Sequence, residues 1–515
     1  MIKSIKLSLK DIVGEGYMNA VVESAVFLHG MSKEQATALS EEKVDFIPEN
    51  YISNLNKMIS LIGTRVISPA GGTSSGAATT SFDKATNKNE SPINGLGFYR
   101  IGEDGRLYLI TKSEHYHTPL GHAFPGYKLL DNARALGITN ATHNNTRGHI
   151  TRYTETELIR AVNGIGQNDD ERLKKVLESE EPHVLNRVIN LETGSLACEA
   201  GIKMMLARFY KIDKTSQSPK YSGKIPVFFV IADNENGSGA NYHGTTIVAQ
   251  TFRGLWPEIY ELAEQKEIYK VCPVKINDFM DFKEKFEKYN SGKYKAAGFI
   301  HEIVLMNYGG IRLTREFLHK AHELCHDNDT PVMVDEIQSC MWYPSMFLFK
   351  EYGLTPDFVV VGKGFPGGQY PASKIMTTYE MDNLNLFGAL VTNGQEELAS
   401  LSYLITMKYA QANSNHTKEI GAYYAKSLSK LAEKYPKIID KIEGFGLLAS
   451  ICFFDIDSAV NFSAIMNRHG FDISAQTYKP KCPAAVLTKP PIIATKEMID
   501  CFVGKMDEIL TQMEF

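Results

Sequence analysis

The stretch "TPDFVVVGKGFPGGQYPASKIM", from Thr355 to Met376, contains four consecutive apolar residues that lead to a lysine between two glycines. A continuous run of Phe and Val predicts a strand buried on both faces, as in a parallel sheet covered by helices. Lys363 would then stand at the carboxyl end of that strand, although lysine is among the residues least often buried. Ligands of open α/β sheets bind at this edge, so Lys363 is a candidate functional residue.

Three more apolar runs predict an α/β domain in the middle of the chain. They are "VFFVIAD" (227–233), "AAGFIHEIVL" (296–305) and "PVMVDE" (331–336). The segment "TREFLHKAHELCHDND", between the last two runs, has apolar residues at helical spacing and predicts a crossover helix. We therefore expect a large domain over residues 120–395, with a mostly parallel sheet between helices.

The flanking regions have other patterns. Residues 1–119 predict helices, then a polar tract over residues 68–92 that would form a flexible loop or a lid. A hairpin follows, because Asp104-Gly105 separates two alternating apolar stretches. Residues 396–515 alternate long helices with short strands and predict a small α+β domain. The segment 1–119 is expected to pack with that domain.

Composition excludes several classes of protein. The 515 residues are 43% hydrophobic, with a formal charge of −5 and a pI near 6.3, so there is no basic footprint for nucleic acid. The sequence has no apolar run of the roughly 20 residues needed to cross a bilayer. The N-terminus does not resemble a signal peptide. The seven cysteines lack CxxC spacing and are odd in number, so we expect a reducing cytoplasm and predict no metal site.

Two of the predicted strands end in residues that are expensive to bury. One delivers Asp335, Glu336 and Gln338, and the other delivers Lys363. Taken singly, an acid at a strand end is usually a loop cap or an ion-pair partner, and Gly-Lys-Gly is usually a turn. Together they suggest a cofactor: a desolvated lysine can offer a neutral amine to an aldehyde, and an aspartate can keep a pyridine nitrogen protonated. The pattern therefore indicates pyridoxal 5'-phosphate.

These segments resemble the class III aminotransferases of fold type I. The resemblance rests on "VDEIQS" and "PDFVVVGKGFPGGQYPAS" and covers roughly residues 185–495. It implies a seven-stranded, mostly parallel sheet in the large domain. It also implies that Lys363 holds the cofactor, that Asp335 pairs with the pyridine nitrogen and that Gln338 reaches the phenolic oxygen.

Further motifs extend the resemblance. "ETGSLACEAGIK" is similar to the family's phosphate-binding element, which implies contacts from Gly194 and Ser195, although the motif taken alone favours an ordinary capped helix. "ANYHGTT" is similar to the family's aromatic-His-Gly triplet, which implies that Tyr242 stacks on the cofactor ring. Glu302 matches a family glutamate, but the proline that should follow is Ile303. Thr392 matches the threonine that contacts the partner subunit's cofactor, which implies a homodimer with composite active sites.

Departures from the family pattern concern the substrate. Leu487 stands where relatives that use α-amino acids carry an arginine as a carboxylate clamp, and Glu443 replaces another family arginine. We therefore expect an acceptor or donor without a carboxylate on the reacting carbon. Alternatively, Lys489 or an arginine from the first 315 residues, with Arg147 and Arg152 as first candidates, binds the carboxylate.

The leading interpretation is an aminotransferase that acts on small-molecule amines and keto or aldehyde compounds. Aminomutases, racemases and decarboxylases are alternatives on the same scaffold. In all of them the cofactor supplies the electron sink, and the residues of the pocket decide which bond of the substrate breaks. A binding or regulatory protein that lost turnover is a further alternative, against which an intact Asp335 and Lys363 argue. P-loop and Rossmann enzymes are excluded, since neither glycine motif follows a strand.

Overall fold

The computed structural model describes residues 2–112, 117–232, 240–477, 479 and 482–513. Its strands, in chain order, are β1 (Lys6–Leu7), β2 (Val44–Asp45), β3 (Pro92–Leu96), β4 (Tyr99–Gly102), β5 (Leu107–Leu109), β6 (Leu185–Leu191), β7 (Ile225–Ile231), β8 (Lys270–Val274), β9 (Tyr294–His301), β10 (Val304–Leu305), β11 (Ile311–Arg312), β12 (Val332–Asp335), β13 (Phe358–Val361), β14 (Ser373–Thr378), β15 (Ile439–Phe445), β16 (Leu448–Phe453), β17 (Ser474–Ala475) and β18 (Ala485–Thr488).

The α-helices, in chain order, are α1 (Leu9–Val13), α2 (Glu15–His29), α3 (Lys33–Glu41), α4 (Tyr51–Lys57), α5 (Thr80–Ala85), α6 (Lys128–Ala135), α7 (His149–Val162), α8 (Asp170–Leu177), α9 (Gly194–Leu206), α10 (Ile247–Thr251), α11 (Pro257–Gln265), α12 (Phe279–Tyr289), α13 (Arg315–His326), α14 (Leu348–Tyr352), α15 (Glu397–Ala412), α16 (Ser414–Lys434), α17 (Ile456–Arg468) and α18 (Lys496–Met513). None of the helices in the described part of the chain is long and apolar enough to cross a membrane.

Contacts divide the chain into two units, of which the larger comprises residues 8–42 and 130–411. Its centre is a seven-stranded sheet in the order β6-β14-β13-β12-β9-β7-β8. The pairs among β7, β8, β9, β12 and β13 are parallel, and β14 is antiparallel to both of its neighbours. Every residue of β7, β12 and β13 is buried, as their apolar runs predict. The predicted mostly parallel sheet is confirmed.

The crossover helix α13 shows how the sequence covers this sheet. Thr314 caps the helix, since its side chain accepts a hydrogen bond from the backbone of Phe317 at 3.2 Å. Phe317, Leu318, Ala321 and Cys325 are buried at helical spacing. The helix therefore leads from β11 into β12 with its apolar face on the core, as predicted.

The smaller unit comprises residues 1–7, 43–129 and 412–515. It contains a four-stranded antiparallel sheet in the order β15-β16-β18-β17 and a three-stranded sheet, β3-β4-β5. The predicted hairpin turn joins β4 to β5, and Gly105 adopts the left-handed φ of +78° that such turns require. In the polar tract 68–92, the structure has the short helix α5, whose residues are exposed.

The predicted domain boundaries lie at 119/120 and 395/396, and residues 1–119 are expected to pack with the small domain. In the structure, residues 8–42 belong to the larger unit instead. Side chains of α7 explain this placement. Nε2 of His149 lies 2.8 Å from the carbonyl oxygen of Val13, and the His149 ring stacks on Tyr17 at 4.5 Å. The N-terminal helices thus find their partners more than a hundred residues along the chain, where no local pattern indicates them.

Candidate active site

Lys363 lies just beyond the carboxyl end of β13, with a left-handed φ of +35° that is unusual for a residue with a side chain. Burial lowers the pKa of its amine, while the charges of Asp335 and Glu302 act in the opposite direction. Its flanking glycines serve packing: a Cβ at Gly362 would lie 2.2 Å from Oγ of Ser373, and one at Gly364 would lie 2.7 Å from the Trp342 ring. The close packing at Gly362 and Gly364 therefore fixes the backbone position of Lys363.

Asp335 is the last residue of β12 and pairs in register with Val360 on the neighbouring parallel strand. Its carboxylate is 2% exposed and accepts a hydrogen bond from the backbone of Ile337 at 3.0 Å. The thiol of Cys198 donates to its other oxygen at 3.4 Å. Burial raises the pKa of Asp335, and the Lys363 charge lowers it. The sequence did not indicate Cys198, since the residue lies in the middle of an ordinary buried helix face.

Glu302 forms a second buried group beside these residues. Its carboxylate accepts hydrogen bonds from the side-chain amides of Gln338, at 3.1 Å, and of Asn241. Burial and the Asp335 charge raise the pKa of Glu302 well above its usual value. Gln338, predicted to reach the cofactor's phenolic oxygen, is thus held by Glu302. Asn241 was not predicted, although it directly precedes Tyr242 in a motif that the sequence analysis used.

Gly194 and Ser195 are the first two residues of α9, a 13-residue helix that Thr193 caps through the backbone of Leu196. A loop packs against this helix end: a Cβ at Gly244, whose φ is +99°, would lie 2.9 Å from Cα of Ser195. The Ser195 hydroxyl also lies 3.2 Å from that of Thr245. The result is a helix N-terminus with two hydroxyl groups, an arrangement that suits a phosphate.

Tyr242 belongs to the same loop. Its ring lies 5.6 Å from the guanidinium of Arg253, and burial followed by the Asp335 charge raises its pKa to about 12. The phenol is therefore neutral at physiological pH. The Tyr242 ring is close enough to interact with both Asp335 and Ser195, which suits a residue that stacks on a pyridine ring.

Thr392 is exposed in the segment between β14 and α15. Its neighbours tie this segment to the end of β6, since the backbone of Asn393 donates to Glu192 at 3.3 Å. A Cβ at Gly394 would lie 2.5 Å from the carbonyl oxygen of Asn190. The contact predicted for Thr392 involves a second chain and stays a prediction.

The contacts of Glu336, and of the residues considered for binding a substrate carboxylate, differ from those of the residues described above. Glu336 is structural, because its carboxylate accepts hydrogen bonds from the Phe349 backbone, at 2.6 Å, and from Ser339. Arg147 lies 3.4 Å from Glu155 and lines a cavity of about 470 Å³ in the larger unit, while Arg152 donates to Gly148 of its own helix end. In the smaller unit, Leu487 is buried within β18 and pairs with Ser450.

The donor set fits pyridoxal 5'-phosphate. It offers a desolvated amine for the aldehyde, a buried carboxylate for a protonated ring nitrogen, and a capped helix N-terminus with hydroxyls for the phosphate. The buried Oδ1 of Asn241 also has no hydrogen-bond partner among the residues that the structure describes. A polar ligand in this pocket would satisfy such an atom.

Comparison with known proteins agrees with this fit. The model of the aminotransferase class-III family matches residues 95–510. An acetylornithine aminotransferase from Clostridium acetobutylicum is 29% identical over 273 residues, which span 52% of this chain and 64% of that relative. An acetylornithine aminotransferase from Aquifex aeolicus is 23% identical over 81% of this chain and 96% of its own length.

Solved structures show the same fold. The ornithine aminotransferase from Toxoplasma gondii superposes with a TM-score of 0.65 at 17% identity, covering 85% of this chain and 96% of that one. The adenosylmethionine-8-amino-7-oxononanoate aminotransferase from Methanocaldococcus jannaschii gives 0.64 at 18% identity, with 89% and 99% covered. Because the family model spans most of the chain, including the strands that carry Asp335 and Lys363, this protein belongs to the class III aminotransferases, pyridoxal-phosphate-dependent enzymes of fold type I.

Proposed function

We propose that Lys363 is the residue that binds pyridoxal 5'-phosphate and that Asp335 supports its chemistry. The observation that carries the proposal is the position of both residues at the carboxyl ends of neighbouring parallel strands, with the Lys363 amine desolvated beside the Asp335 and Glu302 charges. When bound, the cofactor supplies an aldehyde that accepts the amino group and a ring that withdraws electrons.

The protein's own residues then have distinct tasks. Asp335 holds a proton on the ring nitrogen, and Gly194 with Ser195 binds the phosphate at the N-terminus of α9. Nζ of Lys363 would take a proton from the substrate carbon that bears the amine and would deliver it to the carbon that was the cofactor's aldehyde carbon. Burial lowers the pKa of Lys363, which favours the neutral amine that this transfer requires.

The transfer itself can be followed in the purified, cofactor-loaded protein. Addition of an amino donor should remove the absorbance of the cofactor's aldehyde form, and a keto acceptor should restore it. Lys363→Ala serves as the control, since it lacks the proposed attachment. A donor that is racemised or decarboxylated while the absorbance stays constant would contradict amino-group transfer.

We further propose that one substrate has no carboxylate on its reacting carbon. Leu487 is apolar and 4% exposed, so it offers no guanidinium where the family's carboxylate clamp is expected. The names of the relatives refer to acetylornithine and ornithine, which carry a terminal amine on a carbon without a carboxylate. Such a terminal amine would not require a carboxylate clamp at the reacting carbon.

A matched panel of α-amino acids and terminal or cyclic amines tests this substrate class through specificity constants for the half-reaction. We expect the amines to be preferred, and Leu487→Arg to improve the use of α-amino acids about 10-fold or more, because charged hydrogen bonds contribute about 1.5–3 kcal/mol each. Leu487→Met controls for volume. A preference for α-amino acids that Leu487→Arg weakens would show that another residue binds the carboxylate.

A further inference from the structure

Two histidines and an aspartate meet at the edge of the seven-stranded sheet that is opposite the candidate active site. His183 precedes β6, Asp357 directly precedes β13, and His326 is the last residue of α13, which leads into β12. Strands β6 and β13 both run antiparallel to β14, so they begin at the same edge. Asp335 and Lys363 lie where β12 and β13 end. The cluster is therefore separate from the cofactor-binding residues.

The three side chains are close enough to share one ion. Nδ1 of His183 lies 2.7 Å from Oδ1 of Asp357, and Nε2 of His326 lies 3.7 Å from Oδ2. All three ligand atoms lie within 4.8 Å of one another. The Asp357 side chain is 5% exposed and is oriented by a hydrogen bond from the backbone of Val332 at 2.8 Å.

A hydrogen-bonded His183–Asp357 pair accounts for two of these residues but not for His326. Nε2 of His326 is buried, and it has no hydrogen-bond partner within the described part of the chain. A buried nitrogen in that condition is unfavourable unless water or an ion satisfies it. The nitrogen faces Asp357, so an ion bound to it would lie next to the Asp357 carboxylate.

We propose that His183, His326 and Asp357 bind a divalent transition-metal ion, with Zn²⁺ as the best match to a set of two imidazoles and one carboxylate. Zinc takes such ligands at about 2.0–2.2 Å, which puts neighbouring ligand atoms about 3.4 Å apart in a tetrahedron. The His326–Asp357 separation is near this value, and the His183–Asp357 separation has to open slightly. His183, whose side chain is 34% exposed, leaves room for water as the fourth ligand.

Metal binding requires the two imidazole rings to turn. They now stack at 3.7 Å with an interplanar angle of 22°, and a tetrahedral ion would not hold two imidazoles face to face. Rotation about the Cβ–Cγ bond is soft for histidine, which makes this adjustment small. The ion would then join the segments before β6 and β13 to the end of α13. It would stabilise the larger unit without contacting the proposed cofactor-binding residues.

Zinc binding to the full-length, cofactor-loaded protein tests the proposal. After chelator treatment and dialysis, titration calorimetry with ZnCl₂ should give one ion per chain, and Co²⁺ should give a visible absorption band from its histidine-containing coordination. Zinc should also raise the thermal midpoint, because an ion that binds the folded state stabilises it.

Two variants remove the imidazoles with little disturbance. His183→Asn suits the left-handed φ of +61° at this position, since Asn adopts that region more readily than most residues, and His326→Gln retains a polar end. Each should weaken zinc binding at least tenfold and abolish the rise in thermal midpoint. His143→Gln, at an exposed histidine, should bind as the wild type does. Absence of binding in the wild type, or unchanged binding in both variants, would overturn the proposal.

Discussion

At the scale of single residues, two lysines of the larger unit are withdrawn from solvent, Lys363 partly and Lys374 fully, and their positions distinguish them. Burial lowers the pKa of Lys363 and also that of Lys374, the latter to about 8. Lys363 lies in the field of Asp335 and Glu302, and Lys374 lies in that of Glu155 and Glu397 and donates to the Asn190 side chain within the sheet. A desolvated amine near carboxylates is therefore not sufficient to identify a cofactor lysine, and the position of Lys363 just beyond the carboxyl end of β13 decides the assignment.

Replacement of Lys363 by alanine should remove both the covalent attachment and the proton carrier. We expect a loss of at least about 10²- to 10⁴-fold in turnover, the usual effect of a general acid or base. Borohydride reduction of the loaded wild type, followed by peptide mapping, should place the pyridoxyl group on Lys363. Its appearance on Lys374 would refute the assignment.

Asp335→Ala should reduce turnover far more than cofactor content. The lysine and the helix N-terminus would still hold the cofactor, but the ring nitrogen would lose the charge that keeps it protonated, and loss of one such electrostatic partner typically reduces kcat about 10²- to 10³-fold. The measurement is kcat beside bound cofactor per chain. Asp335→Asn controls for volume and retains an acceptor for Cys198. Equal losses of chromophore and kcat would contradict this division of roles.

At the scale of elements, β14 carries a titratable group inside the sheet. All six of its residues are buried, and Lys374 has a pKa of about 8, well below the value of 10.5 for an exposed lysine. Between these values the unfolded chain binds the proton and the folded chain does not, so stability should rise with pH in this interval.

The urea midpoint of the wild type should therefore increase from pH 8 to about pH 10 relative to that of Lys374→Met. The shift of the lysine pKa corresponds to an effect on the order of 2–3 kcal/mol. Lys408→Met, on the partly exposed face of α15, serves as the control. Parallel pH profiles for the wild type and Lys374→Met would show that Lys374 keeps its charge in the folded protein.

The same strand shows why sequence predicts some elements and not others. The runs that became β7, β9, β12 and β13 are mostly apolar, and burial on both faces favours that composition. β14 was not predicted, because Ser373, Lys374 and Thr377 interrupt its apolar pattern. These polar residues are tolerated because neighbouring strands satisfy them, as Asn190 does for Lys374 and the Asp357 carbonyl does for Thr377. Such compensation depends on tertiary pairing, which a single sequence does not display.

In the candidate site, too, the sequence predicts the residues with a local pattern and misses those that depend on tertiary contacts. Lys363, Asp335 and Ser195 stand in recognisable motifs, because strand ends and helix starts have local signatures. The contacts of Cys198 with Asp335 and of Asn241 with Glu302 join residues 137 and 61 positions apart. Neither residue type is distinctive at its position, so only the assembled sheet identifies these supporting groups.

At the scale of the whole molecule, the units combine distant stretches of chain. Residues 8–42 join the larger unit through contacts such as that of Val13 with His149, while residues 43–129 share the smaller unit with the C-terminal part. Domain boundaries at single positions of the sequence therefore do not describe these units, since each unit combines separate stretches of the chain. The homodimer is likewise a prediction that a single chain leaves open, and it rests on the exposed Thr392.

Subunit mixing tests this assembly. If Thr392 of each chain serves its partner's cofactor, coexpression of Lys363→Ala and Thr392→Ala chains should produce hybrids with one intact site. Random pairing makes half of the dimers hybrid, so activity should recover to about one quarter of the wild-type value. Coexpression of Lys363→Ala with Asp335→Ala provides the matched control: both residues belong to one chain's site, so every hybrid site lacks one of them and activity should stay absent. Sedimentation of the loaded protein as a monomer, or equal activity in the two mixtures, would exclude composite active sites.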